Sequence, residues 1–445
     1  MEEKRIIELI NASKVQDIRS ELLEMNIVDI ARVLEEVDRH QLVRFFRILP
    51  KDIAAGVFSY IPVELQQHLV ESITDKEIKG IIDELYLDDA VDFLEEMPAN
   101  IVKKVLKNTD EDLRKLINQF LNYPEYSAGS LMTIEYVDLK KEMTVKEAIQ
   151  HIKRTGVDRE TINTCYVINN NRKLEGVISI RKLILSDETE IIKDILNDDV
   201  ISIKTTDDQE NIAQLFKKYD LTAMPVVDNE NRLVGIITVD DIVDIIEQEN
   251  TEDLQKMAAM QPSEEEYLKT GVFKLAGHRI TWLLVLMISA TFTGNIIKRF
   301  EDVLQSVVIL TAFIPMLMDT GGNAGSQSST LIIRGLALGE IEMKDVFKVI
   351  WKELRVSIVV GLTLAVVNFL RIYYLENVDV MISLTVCLTL FLTVVLAKVV
   401  GGLLPIAAKS VKLDPAIMAS PLITTIVDAF ALVIYFRMAT LFIGL

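Results

Sequence analysis

The sequence predicts a multidomain membrane protein with an all-α N-terminal region, an α/β middle region and a C-terminal domain of spanning helices. Three observations predict this class. Residues 1–122 carry short amphipathic stretches, residues 165–184 and 224–243 repeat each other, and residues 272–445 hold long apolar runs with few charges. A chain of 445 residues is also longer than one hydrophobic core usually organises.

The N-terminal region is predicted to be a helical superhelix over residues 1–125. Apolar side chains recur at i, i+3 and i+4 in segments such as "DIARVLEEVD" and "DAVDFLEEMP". Pro50, Pro62 and Pro98 interrupt this pattern at helix ends. Tandem short helices typically form an interaction surface. The N-terminus has no continuous apolar core, so we expect no signal peptide and a cytoplasmic location for this region.

The middle region contains two copies of one unit. The segment "CYVINNNRKLEGVISIRKLI" (165–184) aligns with "MPVVDNENRLVGIITVDDIV" (224–243) at an offset of 59 residues. Each copy reads as a strand, an Asn/Asp-rich turn, a second strand and a helix. The units 126–186 and 187–245 resemble a tandem pair of cystathionine-β-synthase (CBS) domains. That resemblance implies a regulatory module, and Thr238 and Asp241 match its nucleotide-binding spacing, so ATP is a candidate ligand.

The chain is predicted to enter the membrane after an acidic linker helix over residues 240–270. Seven acidic residues and no lysine or arginine occur from residue 233 to 255. Five segments then meet the roughly 20-residue apolar length of a spanning helix, and they lie near 279–298, 303–326, 354–375, 380–408 and 416–442. The distribution of lysine and arginine between the loops predicts a multi-pass domain over 272–445 with the N-terminus inside and the C-terminus outside.

The composition excludes several classes of function. The net charge of −19 argues against nucleic acid as a partner, because phosphate binding needs a basic surface. Cys165 and Cys387 lie far apart and the four histidines are scattered, so neither disulfides nor a zinc site are expected. No nucleophile–base pair or phosphate loop stands out, so the protein is not predicted to be an enzyme.

The stretch "IPMLMDTGGNAGSQSST" (314–330) is unusually polar for an apolar domain. One interpretation is that its small residues allow helices to pack closely. In the other, Asn323 and Gln327 face a permeation path, because irregular or polar backbone at membrane depth is tolerated only where it is buried or lines a cavity. The residues alone leave both interpretations open.

Asp428 favours the second interpretation, because no other charged residue occurs between 415 and 436. An intramembrane carboxylate typically marks an ion path, although an ion pair with Lys398 is the alternative. Thr424 and Ser420 precede Asp428 by four and eight residues, which places them on nearly the same helix face. Only oxygen ligands are available, which suits Mg²⁺, Ca²⁺ or Mn²⁺.

The order of these regions, with "PMLMDTGGNAGSQSSTLIIRGLALGEI" and "LDPAIMASPLITTIVDAF", resembles the MgtE family of magnesium channels over essentially the whole chain. The resemblance implies a homodimer in the plasma membrane, with a pore between the second and fifth spans. Asp428 would be the selectivity acid, and Gly322, Asn323, Ser420 and Thr424 would complete the pore site. Ala431, Asp319 and Ser420 depart from the family pattern.

The resemblance also implies a cytosolic sensor in which Mg²⁺ bound to acidic residues closes the pore through the linker, or plug, helix. The implied ligands are Asp88, Asp89, Asp92, Asp220, Asp241, Asp244, Glu249, Glu252, Asp253 and Asp414. The expected function is therefore Mg²⁺ import that stops when cytosolic Mg²⁺ is high. A CBS-regulated transporter of another divalent cation or solute is the alternative.

Overall fold

A computed structural model describes residues 15–263, 267–268 and 270–443. The chain divides into two compact units, Met1–Ile245 and Ile246–Leu445. Each unit has its own hydrophobic core.

The first unit begins with a stack of short helices. Second neighbours along the chain pack on each other, as α2 does on α4 and α4 on α6. Phe58 is central to the core and meets Phe46 and Phe93 edge to face. The described helices are α1 Val15–Glu24, α2 Ile27–Glu35, α3 Arg39–Phe46, α4 Lys51–Tyr60, α5 Val63–Ser72, α6 Asp75–Ile82, α7 Leu87–Glu95, α8 Ala99–Asn108 and α9 Glu111–Phe120.

The three prolines lie at helix boundaries, as the sequence predicts. Pro50, Pro62 and Pro98 each stand directly before the first residue of a helix. A proline is tolerated there because the first backbone N–H groups of a helix have no partner within it. At other starts, Asn26 and Asp38 accept hydrogen bonds from backbone N–H groups of the first turn, which stabilises the helix.

The internal repeat folds as two three-stranded sheets of identical topology. In each sheet the first strand is parallel to the second, and the second is antiparallel to the third. The elements are α10 Ala128–Leu131, β1 Asp138–Leu139, α11 Val145–Thr155, β2 Thr164–Ile168, β3 Leu174–Ser179, α12 Ile180–Leu185, α13 Ile192–Ile195, β4 Ile203–Lys204, α14 Gln209–Tyr219, β5 Ala223–Val227 and β6 Leu233–Thr238.

The hairpin turns of the two copies match in detail. Asn169 and Asp228, which are 59 residues apart, each accept two backbone hydrogen bonds across the turn. Arg172 and Asn231, again 59 apart, both have φ of 60°. The repeat in the sequence is therefore a repeat in backbone conformation.

The linker helix is shorter than predicted. The structure has α15 over Val239–Met257 rather than a helix over 240–270. Ala259, with φ of 52°, adopts a left-handed conformation directly after the helix. Gln255 then bonds the backbone of Ser263 through both ends of its side-chain amide. These contacts turn the chain before Pro262.

The second unit is helical beyond residue 271. Its elements are α16 Val272–Arg299, α17 Glu301–Ser306, a 3₁₀ segment Val308–Phe313, α18 Ile314–Ala337, a 3₁₀ turn Met343–Asp345, α19 Val346–Leu370, a π-helical turn Arg371–Leu375, α20 Val380–Ser410, a 3₁₀ turn Pro415–Met418 and α21 Ser420–Ile443. Helices α18, α20 and α21 pack on one another, α19 packs on α20, and α16 packs on α21.

The structure departs from the predicted set of five spans. Four helical stretches within the described residues are long and apolar enough to cross a membrane, namely Val272–Arg299, Met343–Leu375, Val380–Ser410 and Pro415–Ile443. The predicted segment 303–326 does not form one helix. Its first part folds as α17 and the 3₁₀ segment, and α18 begins at Ile314 and continues to Ala337. Whether α18 crosses the membrane as a fifth span stays a prediction.

Candidate functional site

The glycines of the 314–330 stretch serve helix packing. Gly322 and Gly325 are buried on α18. A Cβ atom on Gly322 would lie 2.8 Å from Cγ2 of Thr424, and one on Gly325 would lie 2.6 Å from Cγ2 of Ile423. Both distances are below van der Waals contact, so α18 approaches α21 closely only because these side chains are absent.

The polar residues of the same stretch occupy another face of α18. Asp319, Asn323 and Gln327 follow each other at intervals of four residues, and all three side chains are exposed on this chain. Residues four apart lie one above the other on a helix. The stretch therefore combines glycines that pack inward with a polar row that faces outward, and the role of that row in a permeation path stays a prediction.

Asp428 lies beside this polar row. It is half-buried on α21, and its carboxylate is close enough to that of Asp319 for the two charges to repel. The alternative partner, Lys398, is instead hydrogen bonded through Nζ to Oγ of Ser328, at 3.4 Å. No ion pair joins Asp428 to a lysine or arginine within the described part of the chain.

The other predicted pore residues are Thr424, Ser420, Gly322 and Asn323. Thr424 directs its methyl group at Gly322, and its hydroxyl donates to the carbonyl oxygen of Pro421 at 2.9 Å. The side chain of Ser420 lies outside the described residues. Gly322 is buried in the contact with α21, whereas Asn323 faces outward. Among the described side chains, the charge of Asp319 acts on the predicted selectivity acid.

In the first unit, carboxylates from α7, the first repeat copy and α15 cluster together. Burial, followed by repulsion from Asp241, raises the pKa of Asp89 to about 6. Burial likewise raises the pKa of Asp241 to about 6 and, with repulsion from Asp240 and Asp241, raises the pKa of Glu160 to about 7. We call Asp88, Asp89, Glu160, Asp240 and Asp241 the acidic cluster.

Asp88 is the most enclosed member of the acidic cluster. Its Oδ1 atom is buried and has no hydrogen-bond partner among the described residues. Burial, together with repulsion from Asp89 and Asp241, raises the pKa of Asp88 well above its usual range. A buried carboxylate oxygen without a partner is costly, so this position favours a proton or a cation.

Three more predicted sensor residues lie at or beyond the rim of the acidic cluster. Asp92 is exposed, yet the surrounding protein and the charge of Glu95 raise its pKa to about 7. Asp244 is exposed on α15 and its charge acts on Asp241. Asp220 ends α14 in the left-handed conformation, with φ of 52°, and is also exposed.

In the second unit, predicted sensor residues surround a lysine that the sequence analysis did not single out. Nζ of Lys256 lies 2.5 Å from Oε1 of Glu252 and 2.6 Å from Oδ2 of Asp414. Burial, followed by repulsion from Asp414, raises the pKa of nearby Asp253. Glu249 lies one turn earlier on α15 than Glu252 and Asp253, and it is half-buried. The spacing of four residues from Glu252 to Lys256 was the available signal.

Lys256 is held in its charged form. Burial lowers the pKa of Lys256, but hydrogen bonds to Asp414 and Glu252 outweigh this effect, so its pKa is raised overall. The ammonium group thus occupies the centre of three carboxylates that were predicted to bind a cation. No group of three or more His, Cys, Asp or Glu side chains in the described ranges is arranged to hold a metal ion.

The predicted nucleotide residues contact each other. Thr238 is buried at the end of β6, and its hydroxyl donates to Oδ2 of Asp241 at 2.8 Å. In the first copy, Ser179 occupies the position 59 residues earlier and accepts a hydrogen bond from the backbone N–H of Lys182. The second copy therefore has the Thr–Asp pair of the predicted nucleotide site, and the first copy has Ser and Lys at the equivalent positions.

The fold and these sites define a class: a helical membrane protein with two repeated α/β units and acidic surfaces. Models of the MgtE divalent cation transporter domain, the MgtE intracellular N domain and the CBS domain match residues 314–438, 25–126, and 128–187 with 192–248. The chain is 35% identical to the magnesium transporter MgtE of Thermus thermophilus, covering 99% of both chains. The chain belongs to the MgtE family, which confirms the resemblance seen in the sequence.

Further comparisons agree with this assignment. The magnesium transporter MgtE of Bacillus subtilis is 35% identical, over 99% of this chain and 97% of the relative. The soluble part of a magnesium transporter matches with a TM-score of 0.53 at 31% identity, covering 56% of this chain and 98% of that structure. The cytosolic domain of the Mg²⁺ channel MgtE in complex with ATP matches with a TM-score of 0.52 at 34% identity, covering 54% and 98%.

Proposed function

We propose that this protein is a Mg²⁺ channel that imports Mg²⁺ across the cell membrane along the polar faces of α18 and α21. The observation that carries the proposal is the pair of neighbouring carboxylates, Asp319 and Asp428, on two helices of an apolar domain. Asn323 and Gln327 continue the polar row with amide oxygens. The relatives described above are named magnesium transporters.

The chemistry of the path favours a hard, hydrated divalent cation. Mg²⁺ gives up its water reluctantly, so carboxylates and amides that bind its water molecules suit it better than a tight cage of protein ligands. The polar row is exposed on the single chain, and we propose that a second copy completes the path in a homodimer within the bilayer. In this arrangement the N-terminus is cytoplasmic and the C-terminus is outside.

The direct test is Mg²⁺ influx into liposomes that contain the purified protein. Asp428→Ala should lower influx roughly tenfold or more, because it removes a full charge beside the ion in a region of low dielectric constant. Asp302→Asn removes an exposed carboxylate from α17 and serves as the matched control. Equal influx for wild type and Asp428→Ala would overturn the proposed path.

A transporter of another divalent cation is the second candidate, because oxygen ligands also suit Ca²⁺ and Mn²⁺. Competition separates the two. If Mg²⁺ is the transported ion, an excess of Ca²⁺ or Mn²⁺ should reduce Mg²⁺ influx only weakly. The same excess of Mg²⁺ should reduce Ca²⁺ or Mn²⁺ influx more strongly. We propose no catalytic activity.

We further propose that cytosolic Mg²⁺ closes the channel by binding the acidic cluster, the outlying Asp92, Asp220 and Asp244, and the acids around Lys256. The raised pKa values of Asp89, Asp241 and Glu160 support this, because they reflect carboxylates that are buried and also repel one another in the compact unit. A divalent cation relieves the repulsion and so favours the compact conformation. Mg²⁺ can shift the equilibrium between the two conformations only as far as its affinities for them differ.

Protease protection of the linker, measured against Mg²⁺ concentration, tests this sensor. The double variant Asp244→Asn, Asp253→Asn should need several times more Mg²⁺ for half-maximal protection, because two ligand charges are lost. Asp112→Asn, which removes a fully exposed carboxylate on α9, should leave the curve in place. An unmoved curve for the double variant would contradict the sensor.

ATP is the nucleotide we propose for the CBS pair, at Thr238 and Asp241. A solved relative of the cytosolic domain holds ATP, and Thr238 already orients the Asp241 carboxylate. Isothermal titration of the whole protein with ATP should show weaker binding for Thr238→Ala. Ser179→Ala, at the equivalent position of the first copy, should bind ATP like wild type.

A further inference from the structure

Three helices of the second unit are joined by buried polar side chains that the proposed path does not use. Ser328 on α18, Glu353 on α19 and Lys398 on α20 have exposed fractions of 1%, 8% and 5%. Oγ of Ser328 donates to Oε2 of Glu353 at 2.6 Å, and Nζ of Lys398 donates to the same Oγ at 3.4 Å. We call this arrangement the serine bridge.

The chemistry of a hydroxyl group suits this position between two opposite charges. It accepts a hydrogen bond from the ammonium and donates its proton to the carboxylate, so each ion has a polar partner. No direct ion pair between Glu353 and Lys398 is present in the described part of the chain. Buried charges of this kind are costly and are retained where they face a polar partner.

The stem of Glu353 is fixed as well as its carboxylate. A Cβ atom on Gly402 of α20 would lie 3.1 Å from Cγ of Glu353. The stem therefore lies against bare backbone, which limits the rotamers open to it. The carboxylate is consequently presented to α18 from a rigid support.

The serine bridge lies opposite the polar row of α18. Ser328 follows Asp319 by nine residues, which is about two and a half turns, so their side chains point to opposite sides of the helix. A constraint on Ser328 therefore fixes the rotation of α18 about its own axis. That rotation decides where Asp319 and Asn323 point.

We propose that Ser328, Glu353 and Lys398 are positioning residues that set the rotation of α18 and thereby aim its polar row at the ion path. This inference rests on the proposed function for its consequence in transport. Its structural part, the fixed rotation of α18, stands independently and is measured independently.

The rotation is measured by the reactivity of introduced cysteines toward N-ethylmaleimide in detergent. Asn323→Cys lies on the exposed row and Ala324→Cys on the buried face, whereas the natural Cys165 and Cys387 are buried. In otherwise wild-type protein, Cys at 323 should react much faster than Cys at 324. Adding Ser328→Ala should reduce this ratio, by roughly tenfold or more for the loss of hydrogen bonds to charged groups.

Two further variants separate positioning from folding. Ser357→Ala removes a buried serine whose hydroxyl donates within its own helix, to the carbonyl oxygen of Leu354, and should leave the ratio unchanged. The double variant Glu353→Leu, Lys398→Met removes both charges together with both hydrogen-bond partners of Ser328, so it should fold in normal yield yet show the reduced ratio. Ser328→Thr retains the hydroxyl and should restore the ratio.

Transport supplies the second readout. Ser328→Ala should raise the Mg²⁺ concentration for half-maximal influx and lower the ratio of Mg²⁺ to Ca²⁺ influx, which a loss of folded protein alone would not do. An unchanged cysteine ratio in Ser328→Ala overturns the inference. A reduced ratio in a protein whose wild type carries no Mg²⁺ supports the fixed rotation and overturns the proposed function instead.

Discussion

Nζ of Lys256 lies 2.6 Å from Oδ2 of Asp414, so the end of the linker helix is tied to the chain segment that leads into α21. Met257 packs beside the same contact, against Ile333 of α18 and Ala416. A lysine of the protein therefore occupies the centre of a set of carboxylates to which sequence reasoning assigned Mg²⁺. The lysine and the metal ion would compete for the same oxygens.

The first prediction concerns this competition. Lys256→Met should lower the Mg²⁺ concentration that half-protects the linker from chymotrypsin, because Glu252 and Asp414 lose their internal cation. The same variant should be less protected without Mg²⁺, because the tie to Asp414 is lost. We expect a severalfold shift, since the groups are partly exposed and solvent screens their attraction. Lys344→Met, an exposed lysine paired with Glu342, is the control, and a rise in the half-protecting concentration for Lys256→Met would refute the prediction.

The second prediction concerns pH and the acidic cluster. The pKa values of Asp89 and Asp241, about 6, and of Glu160, about 7, lie above those of an unfolded chain. The folded unit therefore binds these protons more tightly than the unfolded chain. The resulting stabilisation is complete below about pH 4 and is lost as the pH rises through about 6 to 7.

In metal-free solution, hydrogen-exchange protection of α7, corrected for the intrinsic effect of pH, should fall between about pH 4 and 7. Asp89→Asn should flatten this dependence, because one of the titrating carboxylates is gone. Asp112→Asn should not. Protection that stays constant across this interval in the wild type would show that the carboxylates do not resist ionisation in the compact unit.

The third prediction concerns Asp319, the second carboxylate of the proposed path. Because its charge acts on Asp428, Asp319→Asn should reduce Mg²⁺ influx, though less than Asp428→Ala does, and weaken the dependence of influx on ionic strength. Liposome influx at low and high salt measures both effects. Asp302→Asn is again the control. Influx and salt dependence equal to wild type would place Asp319 outside the path.

The fourth prediction concerns helix packing. A Cβ atom on Gly401 of α20 would lie 2.2 Å from the carbonyl oxygen of Gly325 on α18. Gly401→Ala should therefore destabilise the folded domain by about 1–3 kcal/mol or more, because backbone must move. Thermal unfolding in detergent measures the loss. Gly294→Ala, on α16 with nothing within 4 Å of the added atom, should be neutral or slightly stabilising, and equal losses for the two variants would contradict the packing argument.

The repeat and the intramembrane acid were accessible to sequence reasoning because their signals are local. Strand, turn and glycine recur at a fixed offset, and Asp428 stands alone among apolar residues. The start of α18 was misplaced because hydropathy continues without a break through the 3₁₀ segment before it. Pro315, within the first turn of α18, was the local signal for the true start.

The serine bridge and the Lys256 contact could not be predicted in the same way. Ser328 lies 25 residues from Glu353 and 70 from Lys398 along the chain, and Lys256 lies 158 from Asp414. Contacts of this kind depend on how each helix is rotated about its axis, and an apolar sequence specifies rotation weakly when most faces are apolar. The rotation of each helix is seen only from which of its side chains are buried in the folded chain, because the periodicity of the sequence does not specify it.

The contact between Gly325 and Gly401 also limits how such a channel can gate. Two helices that touch backbone to backbone have no layer of side chains between them to slip or repack, so α18 and α20 would travel as a single rigid body. The conformational change that opens the pore would then occur at the helix interfaces that are packed through side chains. Engineered cross-links across those interfaces would be the most informative test of gating.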